Sequence, residues 1–295
     1  MEIRAAGPGD VAGAVAFHDE LVPYLVVTRG VLSRRLGAPV APGRSTFAAV
    51  DDGRVVGWAT SNLIAGSDPL DGEVRVLVRP EYRGRGIGTQ LLTATHAELR
   101  SAGATSARVF AEPGSVEWAA QFGYRQTRQV HYAGIDPGKA QPAPEAPSKV
   151  RLVPLTEVEP HQLYAADQVA QRTKPGDARI TSRPYDEWLA AVWRSPDTVL
   201  DLSFAAVYDE QVIAFTLGIG DHTTIWSKMT STMPEYRGRG LAKLVKATAL
   251  RHAADAGVRG MYTANYDGNT PMLAVNDWLG YERIATHAVL ISPMP

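Results

Sequence analysis

The sequence predicts an α/β protein, specifically an α+β mixed sheet, built from two tandem copies of one domain. Three matches recur in the same order in both halves of the 295-residue chain: FAAV at Phe47 and Phe204, PEYRGRG at Pro80–Gly86 and Pro234–Gly240, and Gly-Tyr at Gly123 and Gly280. Chance recurrence of a seven-residue string in so short a chain is negligible. An internal duplication explains all three matches.

Each half shows the same order of predicted elements. Two alternating apolar runs flank Asp51-Asp52-Gly53, which indicates a β-hairpin, and Asp209-Glu210 occupies the equivalent turn. A third strand at 74–78 leads into the repeated glycine segment, and a helical apolar pattern follows from Ile87 to Leu99. Another strand, a helix and a closing strand complete the pattern, so helices are expected to pack on a mixed sheet.

A proline-rich stretch divides the chain nearly in half. Residues 137–149 contain Pro137, Pro142, Pro144 and Pro147 among small residues, without helical or strand periodicity. Such a composition favours extended backbone and indicates a linker. The predicted domains are therefore 1–136 and 150–295, joined by residues 137–149.

Composition and charge exclude several classes of protein. The 30 basic and 31 acidic side chains nearly cancel, which supplies no general attraction for nucleic acid or an anionic membrane. The chain has no cysteine, hence no thiolate nucleophile, disulfide or cysteine-bound metal. It shows no secretory signal and no membrane-length apolar run. The expected protein is cytoplasmic and metal-free, a monomer or homodimer without nucleic-acid or membrane partners.

The repeated glycine segment is the strongest candidate for a binding site. It lies between a strand end and a helix start, where backbone N–H groups lack intrahelical partners and glycine leaves room for a ligand. This combination is typical of a cradle for a pyrophosphate. The candidate cofactor-binding residues are Val78, Arg83, Gly84, Arg85, Gly86, Ile87 and Gly88 in the first half, and Arg237, Gly238, Arg239, Gly240, Leu241 and Ala242 in the second.

These motifs resemble those of the GNAT acyltransferase superfamily. The shared features are R-x-x-G-x-G/A after P-E-Y, the hairpin before it, and the strand, helix and Gly-Tyr after it. The resemblance implies two tandem GNAT-like acyl-CoA-binding domains, with acetyl-CoA or another acyl-CoA as co-substrate. It also implies that an amine attacks the thioester directly, without a covalent acyl-enzyme.

The second half carries a richer set of polar residues than the first. Asn265, Asn269 and Asn276 precede Gly280-Tyr281, and their amides could bind a pantetheine arm or a polarised thioester. Capping or turn roles are the alternative for Asn265 and Asn269. The first half has no asparagine in this stretch, so we predict that it keeps a coenzyme-binding or structural role and that the second half catalyses transfer.

The family's usual acid and base are hard to place. Many members have a tyrosine four residues before the closing Gly, where this chain has Ala119 and Asn276. Many also have a glutamate in the strand before the glycine segment. Glu73 lies near that place in the first half and Thr230 in the second. The candidate catalytic residues are thus Asn276, Asn265, Thr230 and Glu73, although Glu73 and Thr230 also read as ordinary strand residues.

The acceptor site is poorly specified by the sequence. In the family, the segment between the first two helices lines it, and here that segment contains Asp177 and Tyr185. An acidic residue could hold a cationic amine, and a solvated loop explains it equally well. The expected function is acetyl transfer to a small-molecule primary amine. The alternative is a non-catalytic acyl-CoA-binding sensor or scaffold.

Overall fold

The computed structural model describes residues 1–39, 41–64, 66–67, 69–173 and 183–294. These residues form two compact units. The first contains residues 1–130 and 286–294, and the second contains residues 131–285. The predicted acceptor residue Asp177 lies outside the described residues. Among the helices described, none has the length and apolar character needed to span a membrane.

The first unit is a mixed sheet with helices on both faces. Its strands are β1 (Glu2–Ala5), β2 (Ser45–Asp51), β3 (Arg54–Leu63), β4 (Asp71–Val78), β5 (Ser106–Ala111) and the first part of β6 (Arg125–Ile135); its helices are α1 (Val11–Leu21), α2 (Arg29–Gly37), α3 (Ile87–Ser101) and α4 (Val116–Ala120). Strands β1 to β5 lie side by side in chain order, all antiparallel except the parallel pair β4 and β5.

The second unit repeats this arrangement. Its strands are β7 (Arg151–Pro154), β8 (Phe204–Tyr208), β9 (Gln211–Gly220), β10 (Thr224–Thr232), β11 (Gly260–Tyr266) and the first part of β12 (Glu282–Pro293); its helices are α5 (Pro160–Thr173), α6 (Tyr185–Trp188), α7 (Leu241–Asp255) and α8 (Thr270–Leu279). Strands β7 to β11 are again adjacent in chain order, and the parallel pair is β10 and β11.

The turns and helix ends follow the sequence-based expectations. Asp52 and Gly53 both have positive φ, 47° and 75°, and so do Asp209 and Glu210 in the second hairpin. Paired positive φ angles match the twist of a two-residue hairpin, which confirms the predicted turns. Gly103 has φ 81° just after α3, a left-handed conformation typical of the glycine that ends a helix.

The closing strands are exchanged between the two halves of the chain. Residues 288–293 of β12 pair antiparallel with β5 in the first unit. Residues 131–135 of β6 belong to the second unit, where β6 is adjacent to β11. The compact units therefore differ from the stretches 1–136 and 150–295 that follow the repeat.

The predicted linker is packed at several points. Residues 140–147 are neither helical nor strand, as their proline content predicts. Ala140 and Ala143 pack on the core that α7 and α8 form in the second unit, and Ala146 packs on the buried face of α7. The predicted linker therefore packs against the hydrophobic core of the second unit.

A buried hydrogen bond joins α5 to α6 in the second unit. Trp188 Nε1 donates to Asp167 Oδ2 at 2.7 Å, and both side chains are buried. We expect Asp167→Leu to lower the free energy of unfolding by about 1–3 kcal/mol, because the indole N–H is left unpaired. Asp167→Asn keeps an acceptor oxygen, so it should lower the free energy of unfolding by less. Urea denaturation of the two variants checks this, and equal midpoints would contradict it.

Candidate active site

The two glycine segments adopt nearly identical conformations. Gly84 and Gly86 have φ 75° and 78°, and their counterparts Gly238 and Gly240 have φ 75° and 77°. Side chains rarely adopt such angles, and a Cβ at any of the four would meet little or nothing within 4 Å. Both loops therefore present bare backbone to open space at the start of a long helix.

The arginines of each segment are anchored to the same backbone positions. Arg83 Nε donates to the carbonyl of Val78 at 3.2 Å, and Arg237 Nε donates to the carbonyl of Thr232 at 3.2 Å. Arg85 and Arg239 donate to the carbonyls of Glu81 and Glu235 and lie over neighbouring tyrosine rings. These contacts hold the loops in shape and leave positive charge beside them, as an anion-binding cradle requires.

The strands on either side of each loop separate before they end. The parallel pairing of β4 with β5 stops at Val74 and Val109, although β4 continues to Val78. The pairing of β10 with β11 stops at Trp226 and Tyr262. Each parallel pair opens into a V that faces the start of the following helix.

A cavity of about 430 Å³ occupies the V in the first unit. Its lining includes every predicted cofactor-binding residue of the first half except Arg85. Apolar side chains, among them Leu92, Trp118 and Ala119, form its body. Arg83 in the glycine segment and Glu112 directly after β5 also line the cavity, and their side chains form an ion pair of 3.2 Å. A cavity with a polar mouth and an apolar body suits a long ligand with one anionic end.

Two further polar groups line this cavity that the sequence reasoning missed. Tyr124 Oη is 2.7 Å from His96 Nε2, and burial lowers the pKa of His96 to about 4 and raises that of Tyr124. His287 lies on the exchanged strand, 3.0 Å from Tyr24 Oη, and burial lowers its pKa to about 4. The Gly-Tyr repeat could have indicated Tyr124. No sequence pattern indicated His287, which reaches this cavity only because the closing strands are exchanged.

The asparagines of the second half come together in part. Asn276 is buried on α8, and its Nδ2 donates to Asn265 Oδ1 on β11 at 2.7 Å. Asn269 precedes α8 at its N-cap position, without a side-chain cap bond. The structure thus pairs Asn265 with Asn276 and leaves Asn269 at the helix entrance.

The remaining predicted site residues are more scattered. Glu73 lies on β4, opposite Asn62 and Arg108 and before the strands separate. Thr230 lies on β10, where its hydroxyl is 2.9 Å from that of Thr216. Tyr185 begins α6 and stacks on the His161 ring, with centroids 3.8 Å apart.

Comparison with known proteins agrees with this geometry. A model of the acetyltransferase (GNAT) family matches residues 15–124, and a model of an acetyltransferase (GNAT) domain matches residues 155–264. A mycothiol acetyltransferase of Nocardiopsis dassonvillei is 30% identical over 290 residues, which cover 89% of this chain and 86% of that one. The chain belongs to the GNAT acetyltransferase family.

A second relative is similar in sequence, and two solved structures share the fold. A mycothiol acetyltransferase of Rhodococcus jostii is 28% identical, with 80% of this chain and 79% of that protein covered. Among solved structures, a GCN5-related N-acetyltransferase from Sphaerobacter thermophilus has a TM-score of 0.76 at 18% identity, covering 99% of this chain and 95% of that one. A tandem GNAT protein from the clavulanic acid biosynthesis pathway has a TM-score of 0.74 at 22% identity, covering 100% and 98%.

The tandem GNAT chain is thus an N-acetyltransferase by family. The sequence predicts an architecture similar to that of mycothiol synthase, but it does not match that enzyme's catalytic motif. The corresponding stretch of this chain is TANYDGNTPMLAVNDWLGY. The names of the relatives leave the acceptor of this chain open.

Proposed function

We propose that the chain transfers acetyl from acetyl-CoA to the primary amine of a small molecule by direct attack. The cavity of the first unit carries the proposal, since it joins a bare glycine loop to a gap between two parallel strands. The same loop and gap recur in the second unit. We propose a monomer or homodimer without metal, nucleic-acid or membrane partners.

The residues of the first unit fit the parts of an acyl-coenzyme A. In the first unit the backbone at Gly84–Gly88, with Arg83 and Arg85 beside it, would bind the pyrophosphate. The apolar wall that includes Val78 and Ile87 would hold the pantetheine arm. The coenzyme supplies an activated acyl thioester, and the protein supplies position, because attack needs the two reactants aligned.

We propose that the halves divide the work. The first keeps a coenzyme-binding or structural role, and the second binds acetyl-CoA and transfers its acetyl group, with Asn276 and Asn265 near the thioester. Their paired amides are oriented by one hydrogen bond, so they are preorganised to donate to or accept from the reacting group. Glu73 and Thr230 stay as proposed catalytic residues, and Tyr185 with Asp177 as proposed acceptor contacts.

A non-catalytic acyl-CoA sensor is the second candidate. One observation favours it: the position where many family members have their acid holds Ala119 in the first half and Asn276 in the second. In that case the protein would bind coenzyme without turnover in either unit.

Two measurements on the whole protein separate these functions. Titration calorimetry with acetyl-CoA should show binding, and a free-thiol assay against a panel of amines should show CoA release with at least one of them. The panel includes the acceptor of the mycothiol acetyltransferases. Binding without thiol release from any amine would favour the sensor, and no binding would reject both functions.

A further inference from the structure

The cavity wall of the first unit has a counterpart of different chemistry in the second. Leu92 follows Gly86 by six residues, and Lys246 follows Gly240 by six. Ala119 and Asn276 each stand four residues before the closing Gly-Tyr. Leu92 and Ala119 both line the cavity of the first unit. The repeat therefore places Lys246 and Asn276 on the wall of the second unit's cleft, in place of two apolar residues.

Lys246 is an unusual residue for a protein interior. Its side chain is 3% exposed, on the face of α7 that packs against the sheet. Nζ is 3.2 Å from Ser227 Oγ on β10 and 4.9 Å from the centre of the Tyr281 ring. A hydroxyl and an aromatic face compensate an ammonium only in part, so burial lowers the pKa of Lys246 to about 7. Tyr281 is a titratable group that faces Lys246, and burial raises the pKa of Tyr281.

Two neighbouring polar atoms are also incompletely satisfied. Among the described residues, no hydrogen-bond partner is found for Tyr281 Oη or for Asn276 Oδ1, and both side chains are at least 95% buried. Buried polar atoms without partners cost stability unless a ligand or water completes them. In the first unit, the hydroxyl of the equivalent residue Tyr124 forms a hydrogen bond with His96. In the second unit the equivalent of His96 is Leu250, and the hydroxyl is left for another partner.

These groups lie at the closed end of the V. Ser227 directly follows Trp226, the last residue of β10 that pairs with β11. From Ser227, β10 runs a further five residues to Thr232, next to the glycine segment, or roughly 16 Å at about 3.3 Å per residue. An acyl-coenzyme A whose pyrophosphate lies on Gly238 and Gly240 would bring its thioester to this end.

We infer that Lys246 is the proton donor to the coenzyme thiolate in the second unit, a role that rests on the acetyl transfer proposed above. The amine nitrogen attacks the acetyl carbon, the C–S bond breaks, and the sulfur takes a proton from the Lys246 ammonium. The new amide nitrogen releases its surplus proton to solvent, from which Lys246 is reprotonated. An ammonium that titrates near neutral pH is matched to this exchange, because a thiol has a pKa of about 8.5.

The test uses Lys246→Leu, which installs the residue that the first unit has at this position and that its fold accommodates. With an amine that the wild type acetylates, kcat should fall roughly 10²- to 10⁴-fold, the usual range for a lost acid–base group, while KM for acetyl-CoA changes by less than about threefold. Arg251→Leu, an exposed residue of the same helix, is the matched control and should keep wild-type kinetics. Lys246→Arg keeps the charge but cannot give up its proton, so it should not restore the rate.

A second measurement needs no acceptor. In a Gly86→Glu background, which removes coenzyme from the first unit, CoA is added and its thiolate is followed by ultraviolet absorbance against pH. The bound thiol should ionise at lower pH than free CoA, and Lys246→Leu should abolish that shift. An unchanged shift together with unchanged kcat would overturn the assignment, and so would full rescue by arginine. A Lys246-dependent shift with no amine acetylated would instead reject the acetyl transfer and keep the contact between Lys246 and the sulfur.

Discussion

Gly240→Glu should abolish acetyl transfer, and Gly86→Glu should abolish coenzyme binding in the first unit. Each substitution forces a side chain into a backbone conformation with φ near 78° and brings a carboxylate to the proposed pyrophosphate site. Like charges brought together cost several kcal/mol, which corresponds to at least about a 100-fold loss of affinity. Titration calorimetry with acetyl-CoA and the free-thiol assay measure the two effects separately.

The chain offers matched controls for both substitutions. Gly103 and Gly257 have φ 81° and 78° just after α3 and α7, with open space around them. Gly103→Glu and Gly257→Glu therefore carry the same backbone strain and charge away from the cradles, and should keep binding and turnover. If only Gly86→Glu abolished turnover, the catalytic half would be the first one.

Lys246→Leu should stabilise the protein, and more so at low pH than at high pH. Burial lowers the pKa of Lys246 to about 7, against 10.5 for a free lysine. Between these values the unfolded chain binds more protons than the folded chain, so wild-type stability rises with pH across this window. Below about pH 7 the cost is complete and on the order of several kcal/mol. Leucine removes that cost.

Urea denaturation near pH 6 and near pH 10 tests this sign. The gain in the free energy of unfolding from Lys246→Leu should be large at the lower pH and much reduced at the higher one. Arg251→Leu should show no such pH dependence, because the Arg251 side chain stays exposed to water in the folded chain. A stability gain that is the same at both pH values would mean that Lys246 is not desolvated in the folded chain.

Local features of the fold were predictable because short-range physics determines them. The hairpin turns follow from residues that tolerate positive φ, and the starts of α3 and α7 follow from glycines before an apolar helical pattern. The conformation of the glycine segments was predictable for the same reason, and most of the predicted cofactor-binding residues of the first half line one cavity.

Long-range pairing was not predictable from these patterns. The alternating apolar residues of β6 and β12 mark both as strands, but alternation does not say which sheet a strand joins. The burial of Lys246 was not predictable, because a single lysine in an amphipathic helix usually lies on the surface. The repeat aligns Lys246 with Leu92, but the sequence does not show that Leu92 lies in a cavity wall.

The exchanged closing strands also bear on how the protein is made. The first unit needs residues 288–293 to complete its sheet beside β5, and these residues follow the whole second unit in the chain. Nascent domains commonly fold as they emerge, N-terminal first. Here the cavity of the first unit cannot be completed until the second unit has been synthesised, because His287 in its wall comes later in the chain. A chain cut at the proline-rich stretch would leave neither unit with its full set of strands.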